Sequence, residues 1–172
     1  MTSLVDNRLG HLDEAQLRRA FGCFPSGVIA ICAIADSGPV GMAASSFIPV
    51  SLDPPLVSVC IQNSSTTWPQ LRLSPRLGLS VLAEGHHHAC MSLSRKGGDR
   101  FAGVSWTELS GGGVVIHDAS AWLQCRLHAE VPAGDHLIAL LEICALEASP
   151  DIPPLVFHNS RFRRLTDAGE PR

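Results

Sequence analysis

Tyrosine is absent from this chain, and six Phe and three Trp are its only aromatics. A stacking platform for single-stranded nucleic acid needs more aromatic faces than that. Charge is sparse as well. Asp, Glu, Lys and Arg make up 17% of the 172 residues and leave a net charge of −3. That balance gives no reason to expect nucleic acid or an anionic membrane surface as partner. The longest apolar runs are about ten residues, half of what a bilayer-spanning helix needs. The first sixteen residues, MTSLVDNRLGHLDEAQ, are polar and lack the apolar segment of a secretory signal. A soluble, cytoplasmic protein is expected.

Metal and nucleotide motifs are missing too. The six cysteines, at 23, 32, 60, 90, 125 and 144, form no CxxC pair and no tight cluster. Cys32, Cys60, Cys125 and Cys144 lie inside apolar runs, where a free thiol behaves as a small hydrophobe. Intracellular thiols stay reduced, so buried free cysteines are expected rather than disulfides. The run His86-His87-His88 invites a metal reading, but helix neighbours point about 100° apart and cannot share one ion. No Cys or carboxylate pair stands at ligand spacing to complete four ligands. A solvent-facing run and no metal site are expected. There is no GxSxG elbow, no P-loop and no GxGxxG after a strand, so neither a hydrolase nor a Rossmann site is indicated.

What is present is 45% hydrophobic residues, enough for one domain with a substantial core. Residues 1–12 read as a flexible arm, 13–166 as the domain and 167–172 as a frayed tail. Asp13 with Gln16 three residues on forms a capping box for a helix carrying Leu17, Ala20 and Phe21 on one face. Residues 28–35, VIAICAIA, form a continuous apolar strand, and Asp36-Ser37-Gly38-Pro39 turns it into a hairpin. Pro69 suits the first turn of a short helix. Residues 76–82 alternate, and 84–93 read as helix. Residues 99–121 read as a long loop with a short strand at 114–116. Leu123, Cys125, Leu127, Ala129 and Val131 alternate with polar residues, the period of a half-buried antiparallel strand. Residues 136–146 are apolar enough for burial on both sides, and short strands are expected at 155–157 and 161–165. Six or seven strands with tight turns favour a mainly β fold, an antiparallel barrel with a few flanking helices.

The stretch Pro39–Cys60, PVGMAASSFIPVSLDPPLVSVC, joins two strands through small residues and adjacent hydroxyls. Such a loop lets backbone N–H groups approach a flat or anionic ligand; a plain crossover is the alternative. Ser64, Ser65, Thr66 and Thr67 precede a helix, where free N–H groups favour an anion. Arg95-Lys96-Gly97-Gly98-Asp99-Arg100 places cations in a glycine-rich loop suited to phosphate. Taken singly, each reads as a helix cap or a solvated charge run.

Taken in order, FGCFPSGVIAICA, PVGMAASSFIPVSLDPPLVSVC, SSTTWPQLRLS, KGGDRFAGVSW and AGDH resemble the flavin reductase family, from about Leu17 to Leu165. Members are small NAD(P)H:flavin oxidoreductases that supply reduced flavin to two-component monooxygenases. The resemblance implies an antiparallel split β-barrel of the FMN-binding type. It implies FMN or FAD as flavin, NADH or NADPH as hydride donor, a homodimer with flavin sites near the subunit interface, and a monooxygenase partner. By the same resemblance the flavin would contact Met42, Ala43, Ala44, Ser45, Ser46, Phe47, Ile48 and Pro49. Cys60 and Ile61 would line the floor. Ser64, Ser65, Thr66 and Thr67 would hold phosphate, with Arg95 and Lys96 reaching it. His136, Phe157 and His158 would border the nicotinamide. No general acid or base is assigned. Relatives often carry Thr or Ser at the position of Ala43, Asn at Ser45 and Phe at Leu93. These departures point to flavin used as a diffusing substrate. Two other readings stay open: a flavin-binding barrel with another role, such as an oxidase or a flavin or haem-utilisation protein, and a non-catalytic docking barrel.

Overall fold

Strand β2 (Ile29–Ala35) explains its own apolar run by having both faces covered. Ile29, Ile31 and Ala33 point into one cluster, whereas Val28, Ala30 and Cys32 point into a second on the opposite side. The computed structural model describes residues 13–166; the arm expected at 1–12 and the tail at 167–172 lie outside the described residues. Helix α1 (Glu14–Gly22) and strand β1 (Ser26–Gly27) precede β2. Then follow β3 (Gly38–Ala44), β4 (Ile48–Leu52), β5 (Pro55–Gln62), α2 (Trp68–Leu71), β6 (Leu77–Val81) and α3 (His87–Leu93). The chain continues through β7 (Trp106–Glu108), β8 (Val114–Ile116), β9 (Ala121–Ala133), β10 (His136–Ala148), β11 (Val156–His158) and β12 (Arg161–Arg163).

Seven strands form one antiparallel sheet in the order β3-β2-β6-β9-β10-β5-β4. Its inner face gathers Val57, Val59 and Ile61 of β5, Leu77 and Leu79 of β6, and Ala139 and Leu141 of β10 around one core. The edge strands β3 and β4 are not laddered to each other, and residues 45–47 bridge them. This is the expected mainly β, split-barrel architecture. Trp68 and Leu71 of α2 plug the core, and the buried indole Nε1 donates to Glu130 Oε1 at 2.6 Å. Burying such side chains stabilises the fold by roughly 1.5–3 kcal/mol each.

The outer face of β2 and β6 is covered by α3 and by a β7–β8 hairpin inside the segment read from sequence as a long loop. The hairpin lies so close to β6 that a Cβ at Gly78 would meet the Val114 carbonyl oxygen at 2.1 Å. Ser80 Oγ, fully buried beside it, accepts the Ile116 N–H at 2.9 Å. A separate small sheet, β1-β11-β12, takes in the short strands expected at 155–157 and 161–165 together with β1, for which no strand was expected.

Other expectations are corrected. The capping box on α1 is present, Gln16 N–H donating to Asp13 Oδ1 at 2.7 Å. Yet no residue of α1 is buried, and Phe21 is 70% exposed, because no described element covers its apolar face. Strand β10 is not buried on both sides throughout. It pairs with β5 only from His136 to Glu142 and with β9 alone beyond, so Leu146 is 60% exposed. The ladder shifts register between Ile143 and Ala145, leaving Cys144 unpaired in register and exposed, not buried. All six cysteines are free, and Cys32, Cys90 and Cys125 are buried. Burial raises the pKa of all three thiols, that of Cys125 to about 12. Such thiols stay protonated and unreactive.

The three histidines diverge as helix geometry requires. His86 is half-buried, and its Nδ1 accepts the Ala83 N–H at 3.0 Å ahead of α3, so the run is not wholly solvent-facing. Burial lowers the pKa of this ring from the usual histidine value. The His87 ring stacks at a tilt on Phe162, 4.7 Å between centroids. Among the described residues no cluster of His, Cys, Asp or Glu is arranged to hold a metal, and no helix is long and apolar enough to cross a membrane.

Candidate flavin site

The seam between β3 and β4 is also where a cavity opens. The loop across the seam is pinned by one hydroxyl. Ser46 Oγ accepts the Cys60 N–H at 3.0 Å and lies 3.1 Å from the Cys60 carbonyl, to which it donates. The β3–β4 connection is thereby held to β5, the strand next to the β4 edge. Behind it lies a cavity of about 700 Å³, within the roughly 300–1,000 Å³ usual for small-molecule sites.

The end of β3 and its loop bring Met42, Ala43, Ala44, Ser45 and Ser46 to this cavity. Cys60 reaches it from β5, because the strand's period of two turns Val59 and Ile61 into the core and Cys60 away from it. Ser64, Ser65, Thr66 and Thr67 line a second wall ahead of α2, and Arg95 and Lys96 approach from the loop after α3. Thr67 at the N-cap position makes no side-chain capping bond, but Ser65 Oγ accepts the Trp68 N–H, the first of α2, at 3.1 Å, so one of the four hydroxyls does cap the helix. Helix α2 is a single turn, so its dipole contributes little there, and the groups at this wall able to partner an anion are the hydroxyls and the cations.

His136 closes the cavity from β10. The turn before it needs Gly134 at φ 66°, a left-handed conformation that favours glycine. Asn63 holds this turn to the end of β5, its N–H donating to the Asp135 carbonyl at 3.0 Å and its Nδ2 to the Gly134 carbonyl at 3.2 Å. His136 Nδ1 donates to Asp135 Oδ1 at 2.7 Å. That hydrogen bond, and then attraction to the same ring, holds the Asp135 carboxyl below its ordinary pKa. The ladder pairs His136 with Gln62, which sets both side chains next to each other on the cavity side.

Six residues expected at the site lie elsewhere. Ile61 is 1% exposed in the barrel core, on the opposite face of β5 from Cys60. Phe47 packs against the same core. Ile48 and Pro49 sit on the exposed edge strand β4, beyond the loop. Phe157 and His158 belong to the separate β1-β11-β12 sheet, where Phe157 packs edge-on against Phe162 at 5.6 Å. None of the six lines the cavity.

Five further residues line the cavity: Gln62, Leu93, Ser94, Gly97 and Arg100. Gly97 and Arg100 belong to the loop read as suited to phosphate and Leu93 to the departures from relatives, whereas Gln62 and Ser94 were missed, Gln62 although the period of two that places Cys60 also places it. The bonds that hold Arg100 were not legible, since they depend on a chain reversal. Its half-buried guanidinium Nη1 donates to the Gly41 carbonyl at 3.0 Å and to Thr67 Oγ1 at 2.7 Å, tying three segments together.

The residues present suit a flavin phosphate ester. Small side chains leave room for a planar ring against β3 and β5. Hydroxyls and two exposed cations stand at one end, where charge-assisted hydrogen bonds to phosphate are strongest.

Comparison with known proteins places the chain among relatives of the same fold. The chain is 35% identical over 157 residues to the actinorhodin polyketide dimerase of Streptomyces coelicolor, covering 91% of this chain and 89% of that one. It is 32% identical over 151 residues to HsaB of Rhodococcus jostii, the reductase subunit of a flavin-dependent monooxygenase, with 88% and 77% covered. Among solved structures it matches the Streptomyces globisporus C-1027 NADH:FAD oxidoreductase SgcE6, in complex with NAD and FAD fragments. That match has a TM-score of 0.85 and 35% identity, and covers 92% of this chain and 96% of that one. The family described as flavin reductase like domain matches residues 21–166, nearly all of the described chain, and the protein belongs to that family.

Proposed function

We propose that this protein is an NAD(P)H:flavin oxidoreductase that reduces FMN or FAD and releases the product to a partner monooxygenase in the cytoplasm. The observation that carries the reading is the meeting of four features at one cavity: the pinned small-residue loop, the hydroxyl cluster, the basic loop and the His136 turn. A bound flavin supplies the acceptor for a hydride from reduced nicotinamide. The chain's own contribution is alignment, exclusion of water and electrostatics.

Met42 to Ser46, with Cys60, would seat the ring. Ser64 to Thr67 with Arg95 and Lys96 would hold the phosphate. His136, oriented by Asp135, would position the nicotinamide. Ala43 offers the ring no side-chain hydrogen bond, which supports loose, exchangeable flavin. A homodimer is part of the proposal: the edge strand β4 exposes Ile48 (56%), Val50 (49%) and Leu52 (96%), an apolar rim that a second copy would cover.

The test is NADH and NADPH oxidation measured with FMN, FAD and riboflavin in turn, on dialysed protein. Turnover that depends on added flavin, from a colourless preparation whose mass by light scattering is twice that of the chain, is the expected result. No oxidation with any pair would end the reductase reading. A preparation that stays yellow would end the diffusing-substrate part of it, and a monomeric mass the homodimer part.

A further inference from the structure

The β7–β8 hairpin lies over β2 and β6 on the outer face of the sheet. Gly113 bridges to Ala33 of β2, and the Ile116 N–H reaches Ser80 Oγ of β6 at 2.9 Å. Next to this cover stands Trp122 of β9, which is paired with Ser80 in the ladder and so shares its outer face. Glu147 of β10 is paired with Trp122 on the other side. Between the hairpin and these two residues lies a cavity of about 430 Å³, and the turn that ends the hairpin brings His117 and Asp118 to it. We propose that this cavity binds a small organic cation: a protonated amine carried on an apolar body. The inference does not depend on the flavin reading, because the two cavities have no lining residue in common.

Its charge, its floor and its walls each argue for that ligand. The charge is acidic and uncompensated. Asp118 and Glu147 both line the cavity and no Lys or Arg does. Among the described residues neither carboxylate takes part in an ion pair. The turn that carries Asp118 is tied back to the start of the hairpin: the His117 N–H donates to the Ser105 carbonyl at 3.0 Å, and His117 Nε2 is hydrogen-bonded to Thr107 Oγ1 at 2.6 Å. The floor is the half-buried Trp122, and indole is the best aromatic partner for a cation. The walls are apolar: Val115 and Ile116 are buried, and Ile152 lines the cavity with them. A bare metal ion would leave that apolar surface unused, and among the described residues no group of His, Cys, Asp or Glu is arranged to hold one. An anion would meet two carboxylates, and a neutral apolar molecule would gain nothing from them. An amine joined to an apolar body uses both.

The probes are phenethylammonium, its anionic counterpart phenylacetate and its neutral counterpart phenethyl alcohol, which share one ring and nearly one length. The variants remove the charge or the ring. Glu147→Gln and Asp118→Asn keep the size of each side chain, and Asn suits the left-handed backbone that Asp118 adopts at φ 57°. Trp122→Leu keeps an apolar floor without the π face.

Binding is followed by NMR titration of the whole protein, through the backbone N–H of Asp118 and the indole N–H of Trp122. Wild type is expected to bind phenethylammonium saturably, with a Kd on the order of 1 mM for a ligand of so few atoms. Phenylacetate should bind at least roughly tenfold more weakly, and added salt should weaken the amine but not the alcohol. Each charge variant should weaken the amine by roughly threefold or more and leave the alcohol unchanged. Trp122→Leu should weaken both. Melting temperatures within about 3 °C of wild type report that the variants fold. The probe series needs only the wild type, so it decides the matter even where a variant fails to fold. The proposal is overturned if the amine does not saturate, if phenylacetate binds as tightly, or if neither charge variant weakens the amine. A lysine-containing peptide that shifts these signals where the amine does not would overturn it too, by making the face a protein contact. Flavin reduction enters none of these readouts, so failure here leaves the reductase reading untouched, and failure of that reading leaves this site standing.

Discussion

Strands β5 and β6 are built alike on one face and oppositely on the other. Both are interior strands of the same antiparallel sheet, and both turn aliphatic residues inward: Val57, Val59 and Ile61 from β5, Leu77 and Leu79 from β6. Outward, β6 presents Gly78 and Ser80 to a second layer of backbone, the β7–β8 hairpin. Outward, β5 presents Cys60 and Gln62 to the open cavity proposed to seat flavin. One strand's outer face is closed to the last ångström and the other's is held open. The difference separates positions that fix the fold from positions that make a site. Substitutions on the two faces should therefore fail in different ways.

The largest effect is expected at Gly78. A methyl there would sit 2.1 Å from the Val114 carbonyl oxygen and 2.5 Å from its carbon, backbone atoms that cannot rotate away. Gly78→Ala must push β8 off the sheet and break the Ser80–Ile116 hydrogen bond with it. The cost is ~3 kcal/mol or more, a large part of a domain's stability. Urea denaturation followed by circular dichroism checks this, and an unchanged midpoint would remove the close-packed half of the comparison.

At Cys60 a much larger addition is expected to do far less to the fold. The side chain faces the cavity, and the two hydrogen bonds at this residue run from its backbone to Ser46 Oγ, so they survive substitution. Cys60→Phe should shift the melting temperature by about 3 °C or less. Flavin affinity should fall at least roughly tenfold, about 1.4 kcal/mol, because the ring's floor is filled. Unfolding on the scale of the Gly78 variant would mean that the outer face of β5 is packed after all.

How far the sequence foretold these two faces follows from the same contrast. Local chemistry was legible: the capping box at Asp13, the two-sided apolar run of β2, the alternation of β9 and the hydroxyl cluster at residues 64–67 all depend on near neighbours in the chain. Parity was legible in principle, and the period of two that buries Ile61 could have excluded it from the floor and admitted Gln62. What stayed hidden depends on distant segments. Nothing near Gly78 announces that Val114 lies on it, and nothing near Arg100 announces Gly41, fifty-nine residues away. Phe157 and His158 were placed by family resemblance alone, and their own sheet carries them elsewhere. Residues 99–121 show little periodicity, because a three-residue strand such as β7 is too short to display any.

The smallest structural effect, and the one that defines the open face most finely, is expected at His136. Its ring stands beside Gln62 across the β5–β10 ladder and is one-third exposed, while its partner Asp135 is almost wholly exposed. A hydrogen bond so open to solvent contributes little to folding, so His136→Ala should leave the melting temperature nearly unchanged. The ring does not line the floor under the flavin; it closes the cavity from the neighbouring strand. Removing it should therefore leave flavin affinity in place and raise the KM for NADH roughly tenfold, with kcat changing less. Steady-state kinetics at saturating flavin give the first quantity, and a flavin titration the second. A His136→Gln variant, which keeps a donor beside Asp135, should recover part of the KM. If both variants leave the KM for NADH unchanged, the β10 side of the cavity plays no part in holding nicotinamide. The open face of the sheet would then belong to β5 and its loop alone.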